Sequence, residues 1–284
     1  MSGQLNLDAA AAELCKQRGF EFRGPLGQGA FKSAYLAANN SQQFALKLAV
    51  AAGAAERLVR EARALQECSH GSIARLLQAH THVIPGGIEL WVVCEEYLSG
   101  GTLELRLKRS VLSPLETRTI GVSLAEVLGH LHEKRLVHRD IKPANIMFRD
   151  DSNSYPVLTD FGIVRMLDQP TLTQAFAQMG PGTPAYAAPE QLTNDKALID
   201  WRTDQFDLAI VLAECLLGHH PFLVPGKTIP EAIMAVAAHH EMPAENAAHL
   251  AALGFGALET ALKPWPIARF RKPSDFLESL KTTS

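Results

Sequence analysis

The sequence predicts a two-lobed α+β architecture, a small β-rich lobe followed by a larger helical lobe with a cleft between them. Three observations carry this. The first third alternates short apolar runs with turn residues, long amphipathic stretches dominate after Gly100-Gly101, and 47% hydrophobic residues over 284 positions suffice for a sizeable core. A net charge of −3 with 20% charged residues excludes a disordered chain and argues against a polyanionic partner, so no nucleic acid is expected. Cys15, Cys68, Cys94 and Cys215 are widely spaced and form no CxxC pair, which excludes a zinc ribbon and a disulfide framework. That usage fits a reducing, cytoplasmic location. The N-terminus shows no secretory signal. The most apolar stretch, Phe206–Gly218, carries Asp207 and Glu214 and is too short to span a bilayer, so no membrane segment is expected.

An extension over 1–19 reads as a short helix, Asp8–Arg18, ended by Gly19. In the first lobe, 20–98, Phe20–Leu36 and Gln43–Val50 read as strands broken by Gly24-Pro25 and Asn39-Asn40. Ala54–Cys68 is helical by spacing, with Leu58, Ala62 and Leu65 on one face. Leu76–Ile84 and Ile88–Tyr97 read as strands joined by Pro85-Gly86-Gly87. The boundary falls near Ser99–Gly101. In the second lobe, 99–284, helices are expected at Pro114–Lys134, Asp204–Leu217, Ile229–His240, Ala247–Leu262 and Pro273–Lys281. Trp201 and Trp265 are expected in the core. The pairs His219-His220 and His239-His240 are expected at the surface or at helix ends rather than on a metal.

Three segments carry chemistry. Leu26-Gly27-Gln28-Gly29-Ala30-Phe31 lies between two strands, where glycines let backbone N–H groups approach phosphates, although an ordinary hairpin uses glycines as well. The chain lacks the Gly-Lys-Ser/Thr of a P-loop and the strand–turn–helix order of a dinucleotide fold. His138-Arg139-Asp140-Ile141-Lys142-Pro143-Ala144-Asn145 places a carboxylate, a cation and an amide within six residues. Asp160-Phe161-Gly162 follows. Asn145 and Asp160 can offer oxygen ligands to Mg²⁺, Asp140 can accept a hydroxyl proton, and Lys142 can hold a phosphoryl group as its charge redistributes.

These residues resemble the signature set of eukaryotic-type (Hanks-type) Ser/Thr protein kinases from roughly Phe20 to Leu280, and the compact loops resemble bacterial members. The resemblance implies a protein kinase fold with ATP in the cleft between the lobes. It further implies Mg²⁺ as the metal, with Mn²⁺ a possible substitute, and protein substrates with Ser/Thr acceptors. By position, Gly27 and Gly29 match the loop over the phosphates, Lys47 the lysine on the α/β-phosphates, and Glu61 the acid that pairs with it. Glu96 and Leu98 are assigned to nucleotide binding, Asp140 and Lys142 to catalysis, and Asn145 and Asp160 to the metal. Glu190 of Ala188-Pro189-Glu190 is expected to pair with Arg269, and Asp204 to hold the catalytic loop. Leu65, Leu76, His138 and Phe161 match a stacked apolar spine, and Ala34 with Ala45 a roof over adenine. Lys142-Pro143 and Gly182-Thr183-Pro184 resemble Ser/Thr kinases rather than tyrosine or small-molecule kinases. A phosphate on Thr171 or Thr173 could pair with Arg139 or Arg165, implying autophosphorylation and possible self-association for it in trans.

Two positions depart from the pattern. Lys32 replaces the third glycine of the phosphate loop. Glu95 stands at the gate behind adenine, commonly apolar or Thr, where a carboxylate could compete with Glu61 for Lys47 or bond a neighbouring backbone group. A register one residue different would put Cys94 there instead. A scaffolding pseudokinase, the main rival from another class, usually lacks the lysine, the catalytic Asp or the metal-binding Asp, and all three are present.

Overall fold

A computed structural model describes residues 6–28, 32–40, 42–51, 62, 66, 68–150, 155–160 and 184–282. The chain divides into two compact units. The described residues of the first fall within Met1–Ser69 and Ala74–Leu98, and those of the second within His70–Ile73, Ser99–Gly162 and Gln169–Ser284.

The first unit is a five-stranded antiparallel sheet, β1 (Glu21–Gln28), β2 (Lys32–Ala38), β3 (Gln43–Val50), β4 (Leu76–Ile84) and β5 (Ile88–Glu96), in the order β1-β2-β3-β5-β4. Side chains alternate between faces, so the register decides what each face does. Tyr35, Leu46, Leu48, Val92 and Cys94 fall on one face and form an apolar cluster with Ala11, Leu14 and Cys15. The last three belong to helix α1 (Leu7–Arg18), which lies over that face. Asn6 caps its start by accepting from the Ala9 N–H, and Gly19 ends it in the left-handed region at φ 70°. The Tyr35 hydroxyl donates to Asp8 at 2.8 Å, which ties the helix to the sheet.

The opposite face carries Lys47 and Glu95. Ala45 pairs with Glu95 and Lys47 with Val93, so the two charged residues are diagonal neighbours on adjacent strands. Glu95 shares the Lys47 face, and Cys94 belongs to the α1 cluster on the other. Of the predicted helix over 54–68, Ala62, Gln66 and Cys68 are described; Ala62 and Gln66 are helical, whereas Cys68 is not.

The second unit is mostly helical: α2 (Leu103–Leu107), α3 (Pro114–Glu133), α4 (Pro189–Leu192), α5 (Trp201–Leu217), α6 (Ile229–Ala237), α7 (Ala244–Ala252), α8 (Ala257–Ala261) and α9 (Pro273–Lys281). Ser113 and Glu116 form a reciprocal capping box at the start of α3, with Pro114 at the first helical position. Helix α5 is apolar nearly all round and accordingly buried, with α3 packed against it and α9 against α3. It begins at Trp201, three residues before the predicted start, because Asp200 caps it by accepting from the Arg202 N–H. It ends at Gly218, φ 75°, where a Cβ would stand 2.7 Å from Val111 Cγ1.

The stretch predicted as one helix over 247–262 is two, α7 and α8, separated where Gly254 turns at φ 78°. The helix predicted over 229–240 stops at Ala237, before His239 at φ 59°. Trp201 is buried as expected. Trp265 is 52% exposed and stacks on His239 with centroids 4.2 Å apart, so it is a surface residue rather than core. His220 is a helix-end histidine but lies in the interior, 3% exposed.

A two-stranded hairpin, β6 (Ile146–Phe148) with β7 (Pro156–Leu158), lies between the His138–Asn145 segment and Asp160. Gly100 donates to the Phe148 carbonyl beside it, and a Cβ on Gly100 would lie 2.1 Å from the Asp150 carbonyl oxygen. Only glycine fits that approach. Among the described residues no helix is long and apolar enough to cross a membrane.

Candidate active site

The segment His138–Asn145 is not a regular element, so its shape must come from elsewhere. Asp204, in the first turn of α5, supplies it. Its two carboxylate oxygens accept the backbone N–H groups of His138 and Arg139, each at 2.7 Å. Burial pushes the Asp204 carboxyl up to about 7, against these two donors, which favour its charged form. His138 is itself buried. Its Nδ1 accepts the Asp140 N–H at 3.2 Å, which leaves Nε2 to donate to the Thr159 carbonyl at 3.0 Å. Gln191 of α4 donates to the Arg139 carbonyl at 2.8 Å. Held this way, Arg139 adopts φ 65°, a conformation unfavourable for a non-glycine residue and one that persists where neighbours over-determine it.

The clamped turn presents the Asp140 carboxylate. Lys142 Nζ donates to Asp140 Oδ2 at 3.0 Å, and Asn145 Nδ2 donates to the same oxygen at 3.0 Å and to the Asp140 carbonyl at 2.8 Å. These two donors fix the direction of the carboxylate. Asn145 directs its amide hydrogens at Asp140, which leaves Oδ1 as the acceptor it can offer a cation. The Thr159 N–H donates to the Asn145 carbonyl at 2.9 Å, joining β7 to the loop, and Asp160 follows directly at φ 63°. Among the described residues no group of three or more His, Cys, Asp or Glu side chains could enclose a metal. Two oxygen donors, Asn145 and Asp160, suit a hard cation such as Mg²⁺ that shares its coordination with substrate phosphates.

A second constellation frames the first. Arg269 makes a two-point ion pair with Glu190, at 2.7 and 2.9 Å, with side chains 0% and 1% exposed. Arg269 also donates to the carbonyls of Lys263, Arg202 and Pro264 and lies 4.6 Å from the Phe206 ring centroid. Thr203 donates to Glu190 at 2.8 Å. His220 accepts the Phe222 N–H on Nδ1 and donates from Nε2 to the Ala185 carbonyl at 2.7 Å, just before Ala188-Pro189-Glu190. Burial lowers its pKa to about 4, so it stays neutral. The Tyr186 hydroxyl donates to Glu214 at 2.7 Å, and burial raises the pKa of both groups.

In the first unit Lys47 Nζ lies 2.5 Å from Glu95 Oε2, with side chains 15% and 7% exposed. Glu96 exchanges hydrogen bonds with Arg75, its own N–H donating to the Arg75 carbonyl and its Oε1 accepting the Arg75 N–H, both at 3.0 Å. Leu98 is buried, and Gly27 pairs with Ala34 in β1. The structure thus gathers Asp140, Lys142 and Asn145 around one carboxylate and, separately, joins Lys47 to Glu95. Gly29, Glu61, Leu65, Phe161, Arg165, Thr171, Thr173, Gly182 and Thr183 lie outside the described residues. Sequence reading missed Gln191, His220 and Asp207, whose Oδ1 accepts the Ala188 N–H at 3.1 Å. Each acts on a backbone group distant in sequence, and a side-chain motif carries no signal for that.

Comparison with known proteins identifies the family and the fold. Residues 20–254 match the family model for the protein kinase domain. The chain is similar to PknF, a serine/threonine-protein kinase of Mycobacterium tuberculosis, with 35% identity over 72% of this chain and 44% of that protein. It is similar to the serine/threonine-protein kinase pkn2 of Myxococcus xanthus, with 31% identity over 72% of this chain and 25% of that one. Myosin light chain kinase A of Dictyostelium discoideum is 27% identical over 80% of this chain and 75% of its own length. The chain therefore spans less than half of these two bacterial relatives. Among solved structures, Rad53 residues 1–466 in complex with AMP-PNP shares the fold, with a TM-score of 0.68 and 22% identity over 95% of this chain and 69% of that chain. The fold is the protein kinase fold, a five-stranded sheet unit and a helical unit, and the chain belongs to the protein kinase domain family.

Proposed function

We propose that this chain transfers the γ-phosphate of ATP to serine or threonine hydroxyls of protein substrates, with Asp140 as the base. The observation that carries this reading is the Asp140 carboxylate itself, aimed by Lys142 and Asn145 on a loop pinned by Asp204. A carboxylate in that setting accepts the proton of a hydroxyl as its oxygen attacks the γ-phosphorus. The bond from that phosphorus to the β-bridging oxygen breaks, leaving ADP and a phosphoester. Lys142, beside the same carboxylate, carries the positive charge that stabilises the transferring group. Gly27, Lys47, Glu96 and Leu98, with Gly29 and Glu61, hold the nucleotide. Asn145 and Asp160 hold Mg²⁺, or Mn²⁺ in its place, which when bound neutralises phosphate charge. Most of the catalysis is positioning, because the phosphoryl group needs little covalent help from the protein.

The regulatory reading rests on Arg139, next to the base. A phosphate placed on Thr171 or Thr173 by a second copy of the chain would find a cation there. Cys15, Cys94 and Cys215 stand in no disulfide, which supports a reducing, cytoplasmic site of action.

The test is incubation with Mg²⁺ and γ-labelled ATP, with and without a generic basic protein, beside Asp160→Ala. Label on serine or threonine, absent from the variant, is the expected result. Label in both proteins would refute the site assignment, and nucleotide binding without any transfer would refute the activity on proteins.

A further inference from the structure

Glu95 has no counterpart in the chemistry proposed above. It stands on β5, diagonal to Lys47 on β3, and its Oε2 meets Lys47 Nζ at 2.5 Å. Both residues belong to the sheet, so the backbone hydrogen bonds of two adjacent strands set their separation. The opposite face of the same strands is filled by the α1 cluster, which includes Leu46, Leu48, Val92 and Cys94. The two charges are therefore turned to one side, and with 7% exposure the Glu95 side chain has little water to screen it. Leu76 is the residue opposite Glu95 on β4 and Ala45 the one opposite on β3, and neither carries charge.

A buried carboxylate beside a half-buried ammonium does two things at once. It gives the ammonium a fixed direction, since an ammonium on a four-carbon stem has no preferred plane of its own. It also cancels much of the charge that an anionic ligand would feel. An ammonium carries three donors, so a bond to Glu95 is compatible with bonds to phosphate oxygens. The phosphates then meet a lysine already shared with a resident anion, with a carboxylate close behind it.

Resting on the reading of Lys47 as the nucleotide-phosphate ligand, we infer that Glu95 is a positioning residue that lowers and sets the affinity of this protein for nucleotide phosphates. A residue type commonly uncharged elsewhere in the family is here an internal competitor for the ligand's own binding group. The inference deepens the proposed function at a single residue, and it has a sign. Taking away the carboxylate charge should tighten binding, in proportion to the number of phosphates on the ligand.

The experiment is calorimetric titration of the full chain with ATP, ADP and adenosine, in the wild type and in Glu95→Gln, which keeps size and hydrogen bonding but removes the charge. The expected result is ATP binding about tenfold tighter in the variant, a smaller gain for ADP, and adenosine unchanged. Equal gains for all three ligands would show a change of pocket shape and overturn the inference. Unchanged or weaker ATP binding would overturn it too. Glu95→Thr, with a residue type common at this position in the family, carries the same test if Glu95→Gln does not fold. Wild-type protein that binds no nucleotide would overturn both this inference and the proposed function, whereas wild-type binding with an indifferent variant would overturn this inference alone.

Discussion

Each unit holds an ion pair withdrawn from bulk water, and the pairs differ in kind and in degree of burial. Glu190–Arg269 in the helical unit is fully enclosed. Its guanidinium lies over a ring, bonds three carbonyls and meets the carboxylate at two points. Lys47–Glu95 in the sheet unit joins a flexible ammonium to one carboxylate oxygen, and both side chains retain some access to solvent. A planar fork with every donor directed at protein is a frame, because any ligand would have to dismantle it. An ammonium held by a neighbouring strand can turn towards a newcomer. The comparison separates an enclosed pair with every donor used from one whose cation keeps some access to solvent.

Breaking the frame should have the largest effect on stability. Arg269→Met leaves Glu190 buried without its cation, and we expect a loss of about 3–5 kcal/mol, read as a lowered denaturation midpoint. A variant as stable as the wild type would erase the distinction drawn here.

A second test on the same side of the molecule uses pH. His220 is held neutral with a pKa of about 4, below the ordinary value of 6.5, so between these values the unfolded chain binds more protons than the folded one. Stability is full above pH 6.5, falls as pH drops towards 4, and levels off below. The total is about 3 kcal/mol, from 1.36 kcal/mol for each pH unit between the two values. Thermal midpoints across this window should show the slope in the wild type and lose that contribution in His220→Gln.

Lys47→Met should cost less, about 1–2 kcal/mol, because the pair it breaks is not fully desolvated. It should nonetheless abolish phosphotransfer. A stability loss as large as that of Arg269→Met would place the sheet pair among the framework and sharpen nothing. The smallest effect expected is that of Tyr35→Phe, which removes the hydroxyl bonded to Asp8 of α1 and should cost about 1 kcal/mol in chemical denaturation.

Strands β3, β4 and β5 were legible because short apolar runs between turn residues such as Pro85-Gly86-Gly87 leave few other readings, whereas the break expected at Gly24-Pro25 falls inside β1, which absorbs it as shifts of register against β2. Helix α9 was legible to the residue, since Pro273 can start a helix but not continue one. The division of 247–262 into α7 and α8 was not, because the alanine-rich apolar spacing continues across Gly254 and Gly256, and spacing alone does not show that Gly254 turns. At the site, Asp140, Lys142 and Asn145 lie within six residues, so their meeting follows from one local turn. Glu190 and Arg269 are 79 residues apart, and their pairing was expected only from the family resemblance. The Lys47–Glu95 bond stood among open alternatives. The choice depended on strand register, and a shift of one residue would have sent Glu95 into the apolar face under α1.

The central claim is that Asp140, held by the frame of the helical unit, is the base of the reaction and not a nucleotide ligand. The most direct test is to measure kcat and nucleotide affinity together for Asp140→Asn. We predict a fall in kcat of about a hundredfold or more, with the dissociation constant for ATP within about threefold of the wild type. Turnover near the wild-type rate, or a loss of activity explained wholly by lost ATP binding, would contradict it.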